Sequence, residues 1–208
     1  MEFVKVNFEY SNDVTVINEE QFNVHMRLYE GYIKKMNEID ALLKGDSGFN
    51  DANSTYSKYR GIKRGETFAL NGVILHEYYF ENIGSTDNMP DDNIKDYIGK
   101  DFGGFDNWRK HFIATAKASR GWAVLCYDYR SKSLRNCSLD AHDVGMFVLA
   151  VPLLVLDMYE HAYFLQYADN KVEYINNFMK NIDWSVVKDR MLCLQKEDKE
   201  CLTRNQNT

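Results

Sequence analysis

The stretch VPLLVLDMYEHAYFLQY, residues 151–167, decides how this chain folds. An unbroken apolar run ends abruptly in Asp157, and His161 follows four residues later. A buried carboxylate without a partner costs several kcal/mol or changes its protonation state. A carboxylate and an imidazole at the end of a buried segment are also ligand types that first-row transition metals prefer. We therefore expect a positive group to neutralise Asp157.

Length and charge limit the classes of protein to which the chain can belong. Its 208 residues, 45% of them apolar, can bury a substantial core. The net charge of −6 disfavours nucleic-acid binding, which needs clustered Lys and Arg. The longest apolar run, residues 144–156, is too short to cross a bilayer. Because residues 1–10 do not resemble a secretory signal, a cytoplasmic protein without membrane contact is expected.

Apolar spacing predicts two long helices in the first part of the chain. Asn18 followed by Gln21 is typical of a helix start, and Gly45 marks the expected end. The inward stripe of this helix contains Phe22, His25, Tyr29, Tyr32, Met36, Ile39 and Leu43. A second stripe, which stops at Gly84, contains Phe68, Gly72, Val73, His76, Tyr79 and Ile83. His25 and His76 are therefore expected to face the core.

The pattern changes from residue 121 onward. We predict strands at 122–127, 134–139 and 146–156, preceded by helices at 93–98 and 105–119. Further helices are expected at 161–167, 172–181 and 184–194, and the last dozen residues should be a frayed extension. The predicted fold class is α+β, with an N-terminal helical hairpin domain (1–86), an α/β domain with a three-stranded antiparallel sheet (87–194) and a polar C-terminal extension (195–208).

Four cysteines, at positions 126, 137, 193 and 201, lack the spacing of zinc sites. Cys126 and Cys137 could lie opposite each other if the chain turns at Ser131 and Lys132. Cross-strand geometry often fits a disulfide poorly. In a reducing compartment, ordinary buried thiols are the favoured interpretation.

Three of the five histidines lie on segments that should be buried: His25, His76 and His161. A single histidine on an apolar face is usually a hydrogen-bonded core residue. Three of them together with Asp157 favour a metal site instead. Three imidazoles and one carboxylate suit iron, manganese, zinc or copper better than magnesium or calcium.

Residues 157–164, DMYEHAYF, resemble the metal-ligand signature of the iron/manganese superoxide dismutases. One difference is Tyr159, which stands where this signature usually has Trp. The segments HEYYF at 76–80 and RGWAVL, which contains Trp122, are similar to two other segments of that family. The similarity spans roughly residues 15 to 193.

The resemblance implies that superoxide is the substrate and that dioxygen and hydrogen peroxide are the products. It also implies one iron or manganese ion per chain, bound by His25, His76, Asp157 and His161 with a solvent molecule as fifth ligand. Family members hold this solvent with a side chain either from the second helix, four residues before its ligand, or from the loop before the third strand. Gly72 occupies the helix position and His142 the loop position, so His142 is the candidate solvent partner.

The entrance to the site matches less well. The usual His and Tyr of the family's first helix are replaced here by Tyr29 and Ile33, and Tyr32 lies one residue early. Tyr32 is nevertheless the candidate gateway hydroxyl, and Tyr29 and Trp122 are expected around the ligands. Glu160 and Tyr163 match positions that reach across a dimer interface, which implies a homodimer.

Two alternatives remain open from the sequence. A different non-haem iron oxidoreductase would use two histidines, one carboxylate and an organic cosubstrate. A dismutase-like protein that binds a metal without turnover would explain the altered entrance.

Overall fold

The structure is a computed structural model that describes residues 2–45, 49–85 and 89–205, with the backbone alone for residues 195 and 197–205. Its helices are α1 (Glu19–Lys44), α2 (Lys58–Glu81), α3 (Asp92–Phe102), α4 (Phe105–Ala118), α5 (Phe164–Tyr167), α6 (Lys171–Phe178) and α7 (Trp184–Asn205). Its strands are β1 (Trp122–Asp128), β2 (Ser133–Leu139) and β3 (Ala150–Asp157), and 3-10 turns cover Phe49–Asp51 and Glu160–Ala162.

Helices α1 and α2 form the predicted helical pair. The Asn18 side chain accepts a hydrogen bond from the Gln21 N–H at the start of α1, and the Ser57 hydroxyl accepts one from the Arg60 N–H at the start of α2. Helix α1 ends at Lys44, immediately before Gly45. The predicted helix start and end of α1 are therefore confirmed.

The three strands form one antiparallel sheet in the order β2-β1-β3. All seven residues of the central strand β1 are buried, because helices or the neighbouring strands cover it. At one end of the sheet, Trp122 is paired with Leu139 on β2 and with Asp157 on β3. The predicted fold class, helical pair followed by an α/β part with a three-stranded antiparallel sheet, is confirmed.

Several predicted boundaries were wrong. The third strand begins at Ala150 rather than at 146, because residues 140–149 form a loop in which Gly145 and Leu149 have positive φ angles of 114° and 66°. The helix predicted at 161–167 is divided into a 3-10 turn and the single turn of α5. Helix α3 is longer than the predicted 93–98, and the predicted frayed extension continues α7 as far as Asn205.

One cluster of buried side chains extends along the chain from Val16 to Leu194. Both predicted domains therefore contribute to the same core, and the division into domains stays a prediction. Among the described residues, none of the helices combines the length and the apolar character that a membrane crossing requires.

Among the glycines that the structure describes, Gly145 should tolerate substitution least. A Cβ atom there would lie 2.6 Å from the Ser138 carbonyl oxygen, on a backbone with φ of 114°. We expect Gly145→Ala to lower the free energy of unfolding by at least about 1–3 kcal/mol. Gly61 is the matched control, because a Cβ atom in this part of α2 meets nothing within 4 Å. Gly61→Ala should raise stability by about 0.5–1 kcal/mol. Urea denaturation measures both, and equal effects of the two substitutions would contradict the loop conformation.

Candidate metal centre

Four side chains from four different elements meet at the end of the sheet. His25 comes from α1, His76 from α2, Asp157 from the last position of β3 and His161 from the 3-10 turn that follows. One potential ligand atom from each lies within 4.8 Å of all the others. His25, His76 and Asp157 have no exposed surface, and the His161 side chain is about one-quarter exposed. The structure therefore brings together all four residues that the sequence predicted as ligands.

The two oxygen atoms of Asp157 face different partners. Oδ1 accepts a hydrogen bond from the Tyr159 backbone N–H at 2.9 Å, which fixes the carboxylate plane. Oδ2 faces the three imidazoles, at 3.0 Å from His25 Nε2, 3.2 Å from His161 Nε2 and 3.8 Å from His76 Nε2. One oxygen and three nitrogens thus converge on a single small volume.

Hydrogen bonding fixes the orientation of the His76 ring. Its Nδ1 lies 2.6 Å from the Gly72 carbonyl oxygen, which can only accept, so Nδ1 carries the proton and donates it. The Nε2 lone pair then points toward Asp157, and this buried atom has no hydrogen-bond partner among the described residues. A buried nitrogen without a partner is costly. A metal ion among the four side chains would provide that partner, so the residues present fit a metal.

The protonation states also suit metal binding. Burial opposes ionisation of Asp157, but the charge of His161 and hydrogen bonds from His161 and His25 outweigh it and hold its pKa well below the usual range. Burial lowers the pKa of His25, and burial also lowers the pKa of His76, to about 3. Burial lowers the pKa of His161, but the charge and the hydrogen bond of Asp157 outweigh it and raise that pKa, so His161 must give up a proton to bind a metal. The ionised carboxylate and the neutral imidazoles of His25 and His76 are already in the form that binds metals.

Gln21 anchors the turn that carries His161, and the sequence predicted it only as part of a helix start. This fully buried side chain donates from Nε2 to the His161 carbonyl oxygen, and its Oε1 accepts from the Leu165 N–H. The Gln21 amide on α1 thereby binds the backbone both before α5, at His161, and within α5, at Leu165. A polar residue on the inward face of α1 was the only sequence signal for this contact.

A chain of hydrogen bonds approaches the four candidate ligands from one side. The Trp122 Nε1–H donates to His142 Nδ1 at 2.9 Å, so the proton of the neutral imidazole must be on Nε2. His142 Nε2 in turn donates to the Tyr32 hydroxyl oxygen at 2.8 Å. Burial lowers the pKa of His142 to about 4, which keeps the ring neutral. The hydroxyl hydrogen of Tyr32 is then free to donate to a different acceptor.

The lack of a side chain at Gly72 makes room for Tyr32. A Cβ atom on Gly72 would lie 3.0 Å from two carbon atoms of the Tyr32 ring. The ring therefore packs directly against the backbone of α2, with its centroid 5.3 Å from that of His76. Gly72 also supplies the carbonyl that orients His76, so one residue positions both a ligand and the tyrosine.

Tyr29 has a different environment from Tyr32. Its hydroxyl donates to Glu77 Oε1 at 2.7 Å and accepts from the Val6 N–H at 2.9 Å, which ties the N-terminal segment to α1 and α2. Its ring lies beside His76, with centroids 6.4 Å apart. The structure thus places the Tyr32 hydroxyl, and not the Tyr29 hydroxyl, beside His142.

Tyr159 is a site residue to which the sequence analysis gave no role. Its ring stacks on His161 at a centroid distance of 5.2 Å and meets Trp122 edge-on at 6.2 Å. Its hydroxyl oxygen accepts from the His142 backbone, and burial raises the pKa of Tyr159 to about 12. Its difference from the usual Trp was the sequence signal that could have identified it.

Glu160 and Tyr163 lie on the outer side of His161. The Glu160 side chain is exposed and forms no hydrogen bond or ion pair with another described residue. Tyr163 is buried and stacks on Tyr174 at 5.1 Å. A surface depression of about 470 Å³ gives access from solvent to this edge of His161, and its lining includes Arg120, Tyr159, Glu160, His161 and Lys171.

Known proteins are similar to this chain in sequence over most of its length. A sequence model described as "Iron/manganese superoxide dismutases, C-terminal domain" matches residues 90–190. The "Superoxide dismutase [Fe]" of Aquifex aeolicus is 42% identical over 179 residues, which cover 84% of each chain. The "Superoxide dismutase [Mn] 1" of Halobacterium salinarum is 32% identical and covers 77% of this chain and 78% of its own. The "Superoxide dismutase [Mn/Fe]" of Aeropyrum pernix is 31% identical, with 80% and 78% covered.

Removing one predicted ligand should abolish metal binding. We expect His76→Ala to reduce the metal content of purified protein from about one ion per chain to a small fraction, because three donors remain and the Asp157 charge loses one partner. His111→Ala is the matched control, since His111 is exposed and contacts Asn136 instead. Elemental analysis measures both variants. Full metal content in His76→Ala would show that His76 is not a ligand.

Proposed function

The chain belongs to the iron/manganese superoxide dismutase family, and on that premise we propose that it converts superoxide to dioxygen and hydrogen peroxide with one iron or manganese ion per chain. The observation that carries this proposal is the group of His25, His76, Asp157 and His161, whose ligand atoms lie within 4.8 Å of one another. Family membership supplies the reaction, and this group supplies a place for the metal.

An iron or manganese ion bound by these residues would supply the one-electron oxidation and reduction that the reaction needs. The three imidazoles contribute neutral nitrogen donors, and Asp157 contributes the single negative charge. The Gly72 carbonyl orients His76, and the Tyr159 N–H orients Asp157. Such partners hold ligands in place, and the carbonyl that accepts from His76 also raises the basicity of that imidazole.

Tyr32 and His142 are the proposed proton-handling residues. Two protons are required to convert reduced superoxide to hydrogen peroxide. Because His142 donates to the Tyr32 oxygen, the Tyr32 O–H is directed to another acceptor, which we propose to be a solvent molecule in the cavity. Trp122 keeps His142 in the required tautomer. Burial raises the pKa of Tyr32, so its hydroxyl stays protonated and able to donate.

Substrate capture requires local positive charge, because superoxide is an anion and the chain has a net charge of −6. Arg120 and Lys171 both line the depression that reaches His161. Lys171 Nζ also donates to the Ser119 carbonyl oxygen at 2.7 Å, which fixes its position at the rim. Local basic residues can concentrate an anion at a site even when the total charge is unfavourable.

The surface around Glu160 is the proposed homodimer interface. Exposed apolar side chains, Phe164 and Leu165, follow the His161 turn, and each is more than half exposed. The Glu160 carboxylate nearby lacks a partner among the side chains that the structure describes, so a second copy could provide one. The cytoplasmic location stays a prediction.

Neither alternative function is favoured. An oxygenase with two histidines and one carboxylate would leave more open positions than three histidines and one aspartate leave here. A protein without turnover is not favoured either, because its relatives are named as dismutases and because the Tyr32 hydroxyl still reaches His142 despite the altered entrance sequence.

The function is tested by superoxide decay with defined metal forms. We expect the iron-loaded or manganese-loaded protein, or both, to accelerate decay far above the metal-free protein. Zinc-loaded protein is the matched control, because zinc has no redox chemistry. Binding of iron and manganese without any acceleration of decay would contradict the proposal and favour the protein without turnover.

A pair of tyrosine substitutions separates the two candidate gateway residues. We expect Tyr32→Phe to reduce kcat by about 10²-fold and to leave the metal content unchanged. This is the low end of the range for loss of a proton donor, because His142 remains. Tyr29→Phe should leave kcat unchanged and lower stability by about 1–3 kcal/mol, because the Val6 N–H and Glu77 lose their shared partner. Stopped-flow kinetics and urea denaturation measure these effects, and the opposite pattern would assign the gateway to Tyr29.

The homodimer is tested by sedimentation at several protein concentrations. We expect the protein as isolated to sediment as a dimer and Glu160→Ala to dissociate at higher protein concentration, since it removes the proposed contact with the partner. Glu173→Ala is the control, because Glu173 is exposed and contacts Asn170 within its own helix start. A monomer at every concentration would contradict the interface.

A further inference from the structure

Two cysteine side chains lie next to each other in the β1–β2 hairpin, away from the proposed metal ligands. Cys126 is on the central strand and Cys137 is on the edge strand, and their sulfur atoms are 3.2 Å apart. Both are buried. The strand register pairs Cys126 with Arg135 and Cys137 with Val124, so the two are diagonal neighbours rather than directly opposite. The hairpin turn expected at Ser131 and Lys132 is confirmed, and it brings the thiols together.

We propose that Cys126 and Cys137 form a peroxide-sensitive dithiol, which closes to a disulfide within one chain when hydrogen peroxide oxidises it. The inference rests on the proposed function for its source of peroxide, because dismutation by the same protein releases this oxidant. A disulfide requires the sulfurs to approach to about 2.05 Å. They are already in contact at 3.2 Å, so closure requires rotation of the two side chains together with a small approach of the two strands, and no change of strand register.

The surroundings assign different roles to the two thiols. The Cys126 S–H lies 3.5 Å from the Arg135 carbonyl oxygen and in contact with Cys137 Sγ, and these contacts favour its protonated form. The pKa of Cys137 is lowered by its contact with the Cys126 thiol and by the nearby Arg135 guanidinium. Cys137 also lies on the edge strand and retains 8% of its surface exposure, whereas Cys126 has none. Cys137 is therefore the attacking thiolate and Cys126 the resolving thiol.

The oxidation takes place in two balanced steps. The Cys137 thiolate attacks one oxygen of hydrogen peroxide, an S–O bond forms, the O–O bond breaks, and the leaving hydroxide takes a proton to become water. Cys126 then attacks the sulfur of this sulfenic acid, the S–S bond forms, and the S–O bond breaks. Hydroxide leaves and combines with the Cys126 proton as a second water. The two thiols lose two electrons in total, and peroxide gains them.

The position of the dithiol connects it to the proposed site. The Val124–Cys137 pair lies two residues along the hairpin from the Trp122–Leu139 pair. Trp122 donates to His142, which follows the end of β2 by three residues. A disulfide would therefore lock the register of the two strands that place this hydrogen bond. The disulfide should stabilise the hairpin, and it should not contact any proposed metal ligand.

Peptide mapping of the complete metal-loaded protein tests the proposal. The reduced protein is treated with hydrogen peroxide, free thiols are blocked with N-ethylmaleimide, and trypsin is added without reductant. Cleavage after Arg130 and Arg135 separates Cys126, in residues 121–130, from Cys137, in residues 136–171. We expect a linked pair of these two peptides that increases with peroxide and disappears with dithiothreitol. The exposed Cys193 should remain alkylated within its own peptide.

Three outcomes would overturn the proposal: both cysteines alkylated after peroxide, Cys137 oxidised to sulfinic acid without a linked peptide, or a link from either cysteine to Cys193 or Cys201. Because the peroxide is added, the result does not depend on dismutation. If the linked peptide forms in a protein that fails the superoxide assay, the dithiol proposal is still supported, and the oxidant must come from another source.

Single substitutions test the two assigned roles. In Cys126→Ser, we expect the Cys137 sulfenic acid to persist and to react with dimedone, whereas in Cys137→Ser the Cys126 thiol should stay unmodified. Cys193→Ser is the matched control and should form the linked peptide to the same extent as the unchanged protein. The reverse labelling pattern would reassign the attacking thiolate. If a variant fails to fold, the mapping of the unchanged protein still decides whether the disulfide forms.

Discussion

The Asp157 carboxylate, fully buried among three imidazoles at the end of β3, is the constraint on which the rest of this structure depends. A buried charge with one partner removed costs about 3–5 kcal/mol. To surround Asp157 with nitrogen donors, α1, α2 and the turn after β3 must all reach one end of the sheet. The carboxylate therefore couples the helical pair to the sheet, and a bound metal would strengthen that coupling, because it binds only the folded arrangement.

Neutral polar groups complete the site without adding charge. Trp122 sets the tautomer of His142, and His142 sets the direction in which the Tyr32 hydroxyl can donate. Gly72 makes this possible, because any side chain there would meet the Tyr32 ring. Such a chain of fixed donors and acceptors can direct a proton without a mobile charge in the interior. The hairpin that holds Trp122 and ends three residues before His142 also contains the dithiol.

Much of this arrangement follows from the sequence because it depends on local periodicity. The apolar stripes place His25 and His76 inside, and the end of the apolar run places Asp157 at the end of a strand. Other features depend on contacts between distant segments. The Val6 contact that engages Tyr29, the Gln21 contact with the His161 turn and the diagonal placement of Cys126 and Cys137 require the folded chain. The early start predicted for β3 failed because the positive φ angles at Gly145 and Leu149 are not visible as apolar spacing.

The most direct test of the account is a crystal structure of the metal-loaded protein with anomalous diffraction data collected at the absorption edge of the bound metal. We predict one anomalous peak per chain, within bonding distance of the Nε2 atoms of His25, His76 and His161 and of Oδ2 of Asp157. A peak elsewhere in the molecule, a sulfur ligand, or a peak that any one of these four atoms does not reach would contradict it.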